Sequence, residues 1–224
     1  MKNVVMLVAL VLVVTMTNES SAQSFGLKGG LNLSNMLDKD DDETYSDDYK
    51  MKPGFHIGAT AEFPFSDMFS FETGLLLSTK GFKVSDEETL GGDTYGFEGK
   101  LNLIYLDIPL TAKASFDLGG AKLYGLFGPY VGIGLSGKTK LEFTFDGETE
   151  KEEEDIEWGS DEEKSDLKRL DFGLTMGAGV EMSSIQIGLT YNLGLANLSP
   201  NTENGFKISN RVIGISVGYK FGGE

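Results

Sequence analysis

One histidine, His56, stands in the chain, and it invites a hydrolytic reading. A histidine base set between a serine nucleophile and an orienting acid activates the hydroxyl for acyl transfer. Ser78 and Glu62 are the serine and acid that neighbouring stretches offer. The spacing is generic, and no G-x-S-x-G, H-E-x-x-H or cysteine-based site accompanies it. The expectation is a histidine satisfied inside the protein, with no catalytic residue, no cofactor and no enzyme activity.

A second cluster, DKDDDETYSDDY from Asp38 to Tyr49, places Asp38, Asp40 and Asp42 at calcium-loop positions 1, 3 and 5. Glu43 stands where such a loop needs glycine, and Tyr49 where it needs a bidentate glutamate. No dedicated metal site is expected. A solvated acidic loop is the plainer reading, and loose divalent cations shared with lipopolysaccharide phosphates the sharper one. A third run, EEEDIEWGSDEEKSD from Glu152 to Asp166, reads as the mobile tip of a long loop.

The remaining titratable residues show a different pattern. Lys28, His56, Glu62, Glu72, Asp107, Lys113, Arg169, Asp171, Glu181 and Lys220 each fall between apolar residues in alternating stretches. Eight such stretches follow Gln23, each with period 2, the signature of two-faced strands. IQIGLTYNLGL, Ile185 to Leu195, is typical: Ile185, Ile187, Leu189, Tyr191, Leu193 and Leu195 share one face, and Gln186, Gly188, Thr190, Asn192 and Gly194 the other. The connections alternate too. PFSD, DLGG and SS join segments two to three, four to five and six to seven, whereas the other links are long and polar. Short turns at one end and long loops at the other describe an all-β, eight-stranded antiparallel up-and-down transmembrane β-barrel.

Volume and charge decide which face looks inward. The polar face is rich in glycine (Gly26, Gly30, Gly128, Gly132, Gly134, Gly177, Gly179, Gly214, Gly218), and eight strands leave an interior only just wide enough for side chains. Facing lipid, a midplane lysine or arginine costs about 2 to 4 kcal/mol and an acid less. Turned inward, the same charges pair in a lumenal polar network. Phe25, Phe55, Phe63, Phe69, Phe116, Tyr219 and Phe221 near segment ends suit interfacial girdles. A soluble barrel with the opposite sense is the competing architecture.

Residues 1–22 read as a secretory signal: Lys2, an apolar run from Val4 to Val14, then Ser20 and Ala22 before a cleavage point. Residues 23–224 form the barrel domain. The formal net charge of -16 and pI near 4.4 argue against nucleic acid or an anionic membrane surface as a partner, and the absence of cysteine excludes disulfides and thiolate chemistry. Outer-membrane lipid and lipopolysaccharide are the expected surroundings. Phe82, Val84, Tyr95, Phe97, Leu141, Phe143 and Phe145 carry the alternation past the membrane, so segments three to six should project as a small sheet; packing the outer loops together is the plainer reading of these residues, and edges that take up a partner strand the sharper one. Pro109 and Pro129, which cannot donate to a ladder, should open a local gap between segments four and five.

GLKGGLNLS (Gly26 to Ser34), GFHIGATAEF (Gly54 to Phe63), YLDIPLTAKASF (Tyr105 to Phe116), GPYVGIGL (Gly128 to Leu135), DFGLTMGAGVE (Asp171 to Glu181), YNLGLANL (Tyr191 to Leu198) and VGYKF (Val217 to Phe221) together resemble the PorT-type outer-membrane β-barrel family of Bacteroidetes. The resemblance covers nearly all of the chain after Gln23. It implies an eight-stranded barrel in the outer membrane of a Gram-negative bacterium. Most members have no assigned activity, and the founding type is linked to export of secreted proteases. The chain departs from the pattern at its end, where Gly222, Gly223 and Glu224 follow the aromatic Phe221. The functional expectation is a non-enzymatic barrel with a closed lumen and acidic outer loops, serving envelope integrity or surface binding. Its alternatives are a secretion accessory, a narrow pore or a lipid-modifying enzyme; no protein partner is specified.

Overall fold

Alternating side chains make a strand with two unlike faces, and such strands bury one face only by closing on each other. In the computed structural model, which describes residues 23–90, 93–146 and 148–222, they do so. The expected signal segment, residues 1–22, lies outside the described residues. Ten strands form: β1 (Ser24–Lys39), β2 (Lys52–Pro64), β3 (Phe69–Lys80), β4 (Lys83–Leu90), β5 (Asp93–Asp117), β6 (Lys122–Phe145), β7 (Glu148–Asp155), β8 (Leu170–Met182), β9 (Ile185–Gly194) and β10 (Lys207–Phe221). Eight of them, in the order β1-β2-β3-β5-β6-β8-β9-β10, close into a ring when β10 pairs with β1. Every pairing between strands is antiparallel.

The apolar rows point outward. Leu27, Leu31, Phe55, Ile57, Phe127, Phe172, Leu189, Ile215 and Val217 are all exposed, the arrangement of a wall facing hydrocarbon. Among the described residues no helix is long and apolar enough to cross a membrane. Three tight turns lie at one end, with both termini of the barrel beside them. At the β5–β6 turn Gly119 and Gly120 have φ of 79° and 135°, a conformation that side chains resist.

Prolines interrupt the wall where they lack a donor. The β5–β6 ladder passes from Pro109↔Tyr130 to Ala112↔Phe127, skipping Leu110, Thr111, Gly128 and Pro129. A second skip lies on the other side of β5, where pairing with β3 passes from Leu76↔Asp107 to Thr73↔Leu110 across Pro109.

At 25 and 24 residues, β5 and β6 are far longer than the roughly 9 to 11 that a tilted barrel strand needs to cross. Their excess forms a four-stranded sheet, β4-β5-β6-β7, beyond the wall. Two sequence expectations change here. The fourth strand is supplied by the acidic run, because β8 begins only at Leu170, and Glu152 to Asp155 therefore lie in β7 instead of a loop tip. The physical reason is a facing row of lysines: Lys138 and Lys140 reach Glu153, and Lys138 also reaches Asp155, at 3.4 Å. Lys151 pairs back to Glu142 at 3.2 Å.

An apolar plug lies between sheet and barrel. Met36, Leu101, Leu103, Tyr105, Leu167, Ala196 and Leu198 are buried together, with Phe82, Ile156, Trp158 and Ile208 against them. Trp158 meets Tyr105 edge-on at 5.7 Å and lies over Gly134, where a Cβ would sit 2.5 Å from its ring.

Candidate functional site in the barrel lumen

Inward positions of neighbouring strands meet across a narrow interior, so their charges lie within ion-pair distance of each other. Near the short-turn end, β5 supplies Lys113, which is fully buried. Its Nζ lies 2.9 Å from Glu62 Oε2 on β2, 3.1 Å from Glu181 Oε2 on β8 and 4.0 Å from Glu72 Oε2 on β3. Lys28 of β1 takes Glu72 at 2.5 Å, and Lys220 of β10 takes both Glu62 and Glu181, at 3.0 and 2.9 Å. Ser70 and Gln186 donate the further hydrogen bonds that the Glu62 and Glu181 carboxylates accept. Three lysines thus interleave with three glutamates, and the layer is neutral. Lys113 also sits over the Tyr124 ring, at 4.6 Å. Gly188 leaves the room for that ring, since a Cβ there would come within 2.4 Å of the Tyr124 hydroxyl.

A second layer lies nearer the plug. Lys80 of β3 is fully buried between Asp107 of β5 at 2.8 Å and Asp171 of β8 at 3.0 Å, with the Tyr105 and Tyr130 rings 4.5 and 4.8 Å from its ammonium. Asp171 Oδ2 also accepts from Tyr130 Oη and Asn210 Nδ2. Lys80 escapes the sequence reading, although it continues the parity of Ser78 two residues on. Lys52 escapes it as well, and donates to the Lys80 carbonyl at 3.4 Å.

Between the layers lies a cavity of about 50 Å³ lined by polar and apolar side chains from around the ring, room for a few water molecules. Asn32 spans its edge. The amide Nδ2 donates to Ser78 Oγ at 3.0 Å and to the Thr79 carbonyl, while Oδ1 lies 2.7 Å from His56 Nδ1. The serine, histidine and acid of the hydrolytic reading are therefore not assembled: His56 faces an amide, and Glu62 is engaged in the lower layer by Ser70, Lys113 and Lys220.

One further expectation is corrected. Arg169 does not join the carboxylates; it precedes β8 at the rim, exposed, donating to the Gly134 carbonyl at 3.0 Å and lying over the Trp158 ring at 5.7 Å. The chain has not yet entered the ring at that residue, so parity with Asp171 carries no facing information.

In the outer loops, the acids of Asp38–Tyr49 are turned to local partners. Asp40 accepts from Tyr45 Oη and from the Asp42 and Glu43 amides, which hold its carboxyl below the usual range, and the same hydrogen bond pushes the Tyr45 hydroxyl up to about 12. Burial raises Asp38 despite the hydrogen bond from Tyr49. Among the described residues no group of three or more His, Cys, Asp or Glu side chains converges as a metal site would. In the outer sheet Lys100 and Lys83 both hydrogen-bond Glu98 and hold it down to about 2.

A model of the family described as outer membrane protein beta-barrel domain matches residues 18–199. No curated protein sequence matches. Among solved structures, Ail, the attachment invasion locus protein of Yersinia pestis, is 19% identical, with 90% of this chain and 100% of that one covered at a TM-score of 0.34. Neisserial surface protein A is 12% identical, with 88% and 95% covered at a TM-score of 0.42. OprG from Pseudomonas aeruginosa is 16% identical, with 90% and 97% covered at 0.41.

Proposed function

The chain belongs to the outer membrane protein beta-barrel domain family, and on that premise we propose a non-enzymatic outer-membrane barrel whose lumen is closed to ions and whose business lies in the sheet and loops outside the bilayer. The observation that carries the reading is the pair of buried charge layers. Lys113 bridges carboxylates of β2 and β8, on opposite sides of the ring, and Lys80 of β3 reaches Asp171 of β8 as well as Asp107 of β5, so the interior is crossed twice by ion pairs. An ion entering from either end would have to break pairs in a low-dielectric site, where a stripped partner costs about 3 to 5 kcal/mol. Enzymatic chemistry finds no support in the lumen, where His56 and Ser78 share an amide partner instead of a base and nucleophile contact. Reconstitution into planar bilayers tests the closed lumen: no steady current is expected, and ohmic single-channel conductance at neutral pH would overturn it.

The PorT-type resemblance adds a second reading, an accessory role in protein export. The observation favouring it is the four-stranded sheet carried beyond the wall by β5 and β6, a platform on which another protein could rest. Deleting the gene and finding periplasmic retention of surface proteins is the expected outcome, and unchanged surface proteins would remove this reading.

A further inference from the structure

The two faces of the outer sheet are unlike. On one, every strand contributes to a ladder of paired charge: Lys83 and Lys100 with Glu98, Lys151 with Glu142, and Lys138 and Lys140 with Glu153. The other continues the apolar plug upward. Beyond buried Leu103 and Leu101 come Phe97 and Tyr95 on β5, paired in register with Phe143 and Phe145 on β6, at ring separations of 5.4 and 5.0 Å. The plug covers the lower part of this row and leaves the upper part open. Tyr95, Phe143 and Phe145 are 44%, 45% and 54% exposed, and they line a groove of about 520 Å³.

Carboxylates flank the rings on both sides. Asp86 of β4 stands opposite Phe97, and Glu150 and Glu148 of β7 stand opposite Phe143 and Phe145. Unlike the acids of the other face, none of these three has a lysine or arginine within 4 Å among the described residues, although cations are plentiful on the same four strands. Four rings edged by three unpaired acids form a surface complementary to a cationic, amphipathic chain. Arginine and lysine are drawn both to ring faces and to carboxylates, and apolar side chains between them would cover the rings. The same charges repel lipopolysaccharide phosphates. A second copy of this chain, at -16, is disfavoured likewise.

We propose that the aromatic face of the β4-β5-β6-β7 sheet, edged by Asp86, Glu148 and Glu150, is a docking surface for an extended, basic amphipathic segment of another protein. The inference deepens the surface-binding part of the function proposed above and does not depend on the lumen being closed. With an incoming segment laid along the groove, alternate arginines reach the acidic edges and the intervening residues meet Phe97 and Phe143.

The test uses the full-length barrel folded in detergent micelles and a fluorescein-labelled twelve-residue peptide of alternating arginine and leucine. Anisotropy is expected to show saturable binding that weakens as salt rises from 50 to 300 mM, in keeping with screening on the order of the Debye length. E148Q/E150Q and Tyr95→Ser/Phe145→Ser should each weaken it by about tenfold, the loss of a few exposed charge and ring contacts. Glu153→Gln on the opposite face should leave it unchanged, and a peptide with glutamate in place of arginine should not bind. All these positions are exposed, and a retained shift in gel mobility on boiling verifies that each variant is folded. No binding by the wild type, binding by either double variant as tight as that of the wild type, or an equal loss in Glu153→Gln would each overturn the proposal. Those failures leave bilayer conductance untouched, so they are distinguishable from failure of the closed-lumen reading.

Discussion

Lys113 and Lys140 are both lysines held by glutamate, and they differ in almost everything that decides what such a pair is worth. Lys113 is fully buried among Glu62, Glu72 and Glu181, inside a wall of strands with lipid beyond it. Lys140 pairs with Glu153 on the open face of the outer sheet, where water surrounds both. The inner pair cannot separate without leaving a charge stranded in a low dielectric, whereas the outer one exchanges its partner for water at little cost. Location, and not the number of salt bridges, sets the energetic role. The lumen's pairs tie strands together across the interior, and the sheet's pairs occupy one face and leave the other to its aromatic rings.

That contrast can be broken at its strongest point first. Lys113→Met should lower barrel stability by about 3 to 5 kcal/mol, because three glutamates lose their shared cation. Urea titration in detergent, read by the gel-mobility shift, measures it, and adding Glu181→Gln should restore part of the loss. A change below about 1 kcal/mol, the size of a surface pair, would erase the distinction.

The plug between the two regions sharpens it. Gly134→Leu drives a side chain into the seat of Trp158, and overpacking of this kind costs about 1 to 3 kcal/mol. Trp158 is the chain's single tryptophan, so its emission should shift to the red as it leaves the plug. Unchanged emission would mean that the ring does not rest on Gly134.

Acid separates the regions next. Glu98 is held down to about 2 by Lys100 and Lys83, below an ordinary value of 4.5. Its contribution is fully present above pH 4.5 and is lost as pH falls through about 2. The carboxyl carbon shift of Glu98 should titrate near 2, and Lys83→Met should move the midpoint upward; a midpoint at 4.5 in the wild type would show that the pairing is not maintained in solution. Smallest of all, Lys140→Ala should change the unfolding free energy read from urea titration by no more than about 0.5 kcal/mol.

Much of this molecule is legible from residue order. Period 2, the short links PFSD, DLGG and SS, and glycines opposite bulky apolar residues state the ring, its strand count and its inward face, because an eight-stranded interior has no other way to fit. The inward positions of Lys28, Glu62, Glu72, Asp107, Lys113, Asp171, Glu181 and Lys220 follow from the same parity. Parity fails where the chain is not yet in the ring, as at Arg169, whereas Lys80 keeps the parity of Ser78 and turns inward with it. Parity also says nothing about partners: that Asn32 stands at His56 and Ser78, or that Lys113 takes three glutamates, depends on which strands lie across the barrel.

The outer end of β6 shows where local pattern and folded structure part. In the sequence, Leu123, Phe127, Val131, Ile133 and Leu135 and then Leu141, Phe143 and Phe145 form one unbroken row of odd positions. In space, the register shift at Ile104/Tyr105 sets Ile104 against Ser136 and Tyr105 against Gly134, adding one residue to β6. A single added residue turns every later side chain to the opposite face. Gly137 accordingly packs against Leu103 and Ile156 of the plug. Two-faced strands and their closure are properties of composition and spacing, which each segment carries alone. Whether the same odd row meets lipid or overhangs the barrel mouth is set by pairing between strands, and that exists only once the ring has closed.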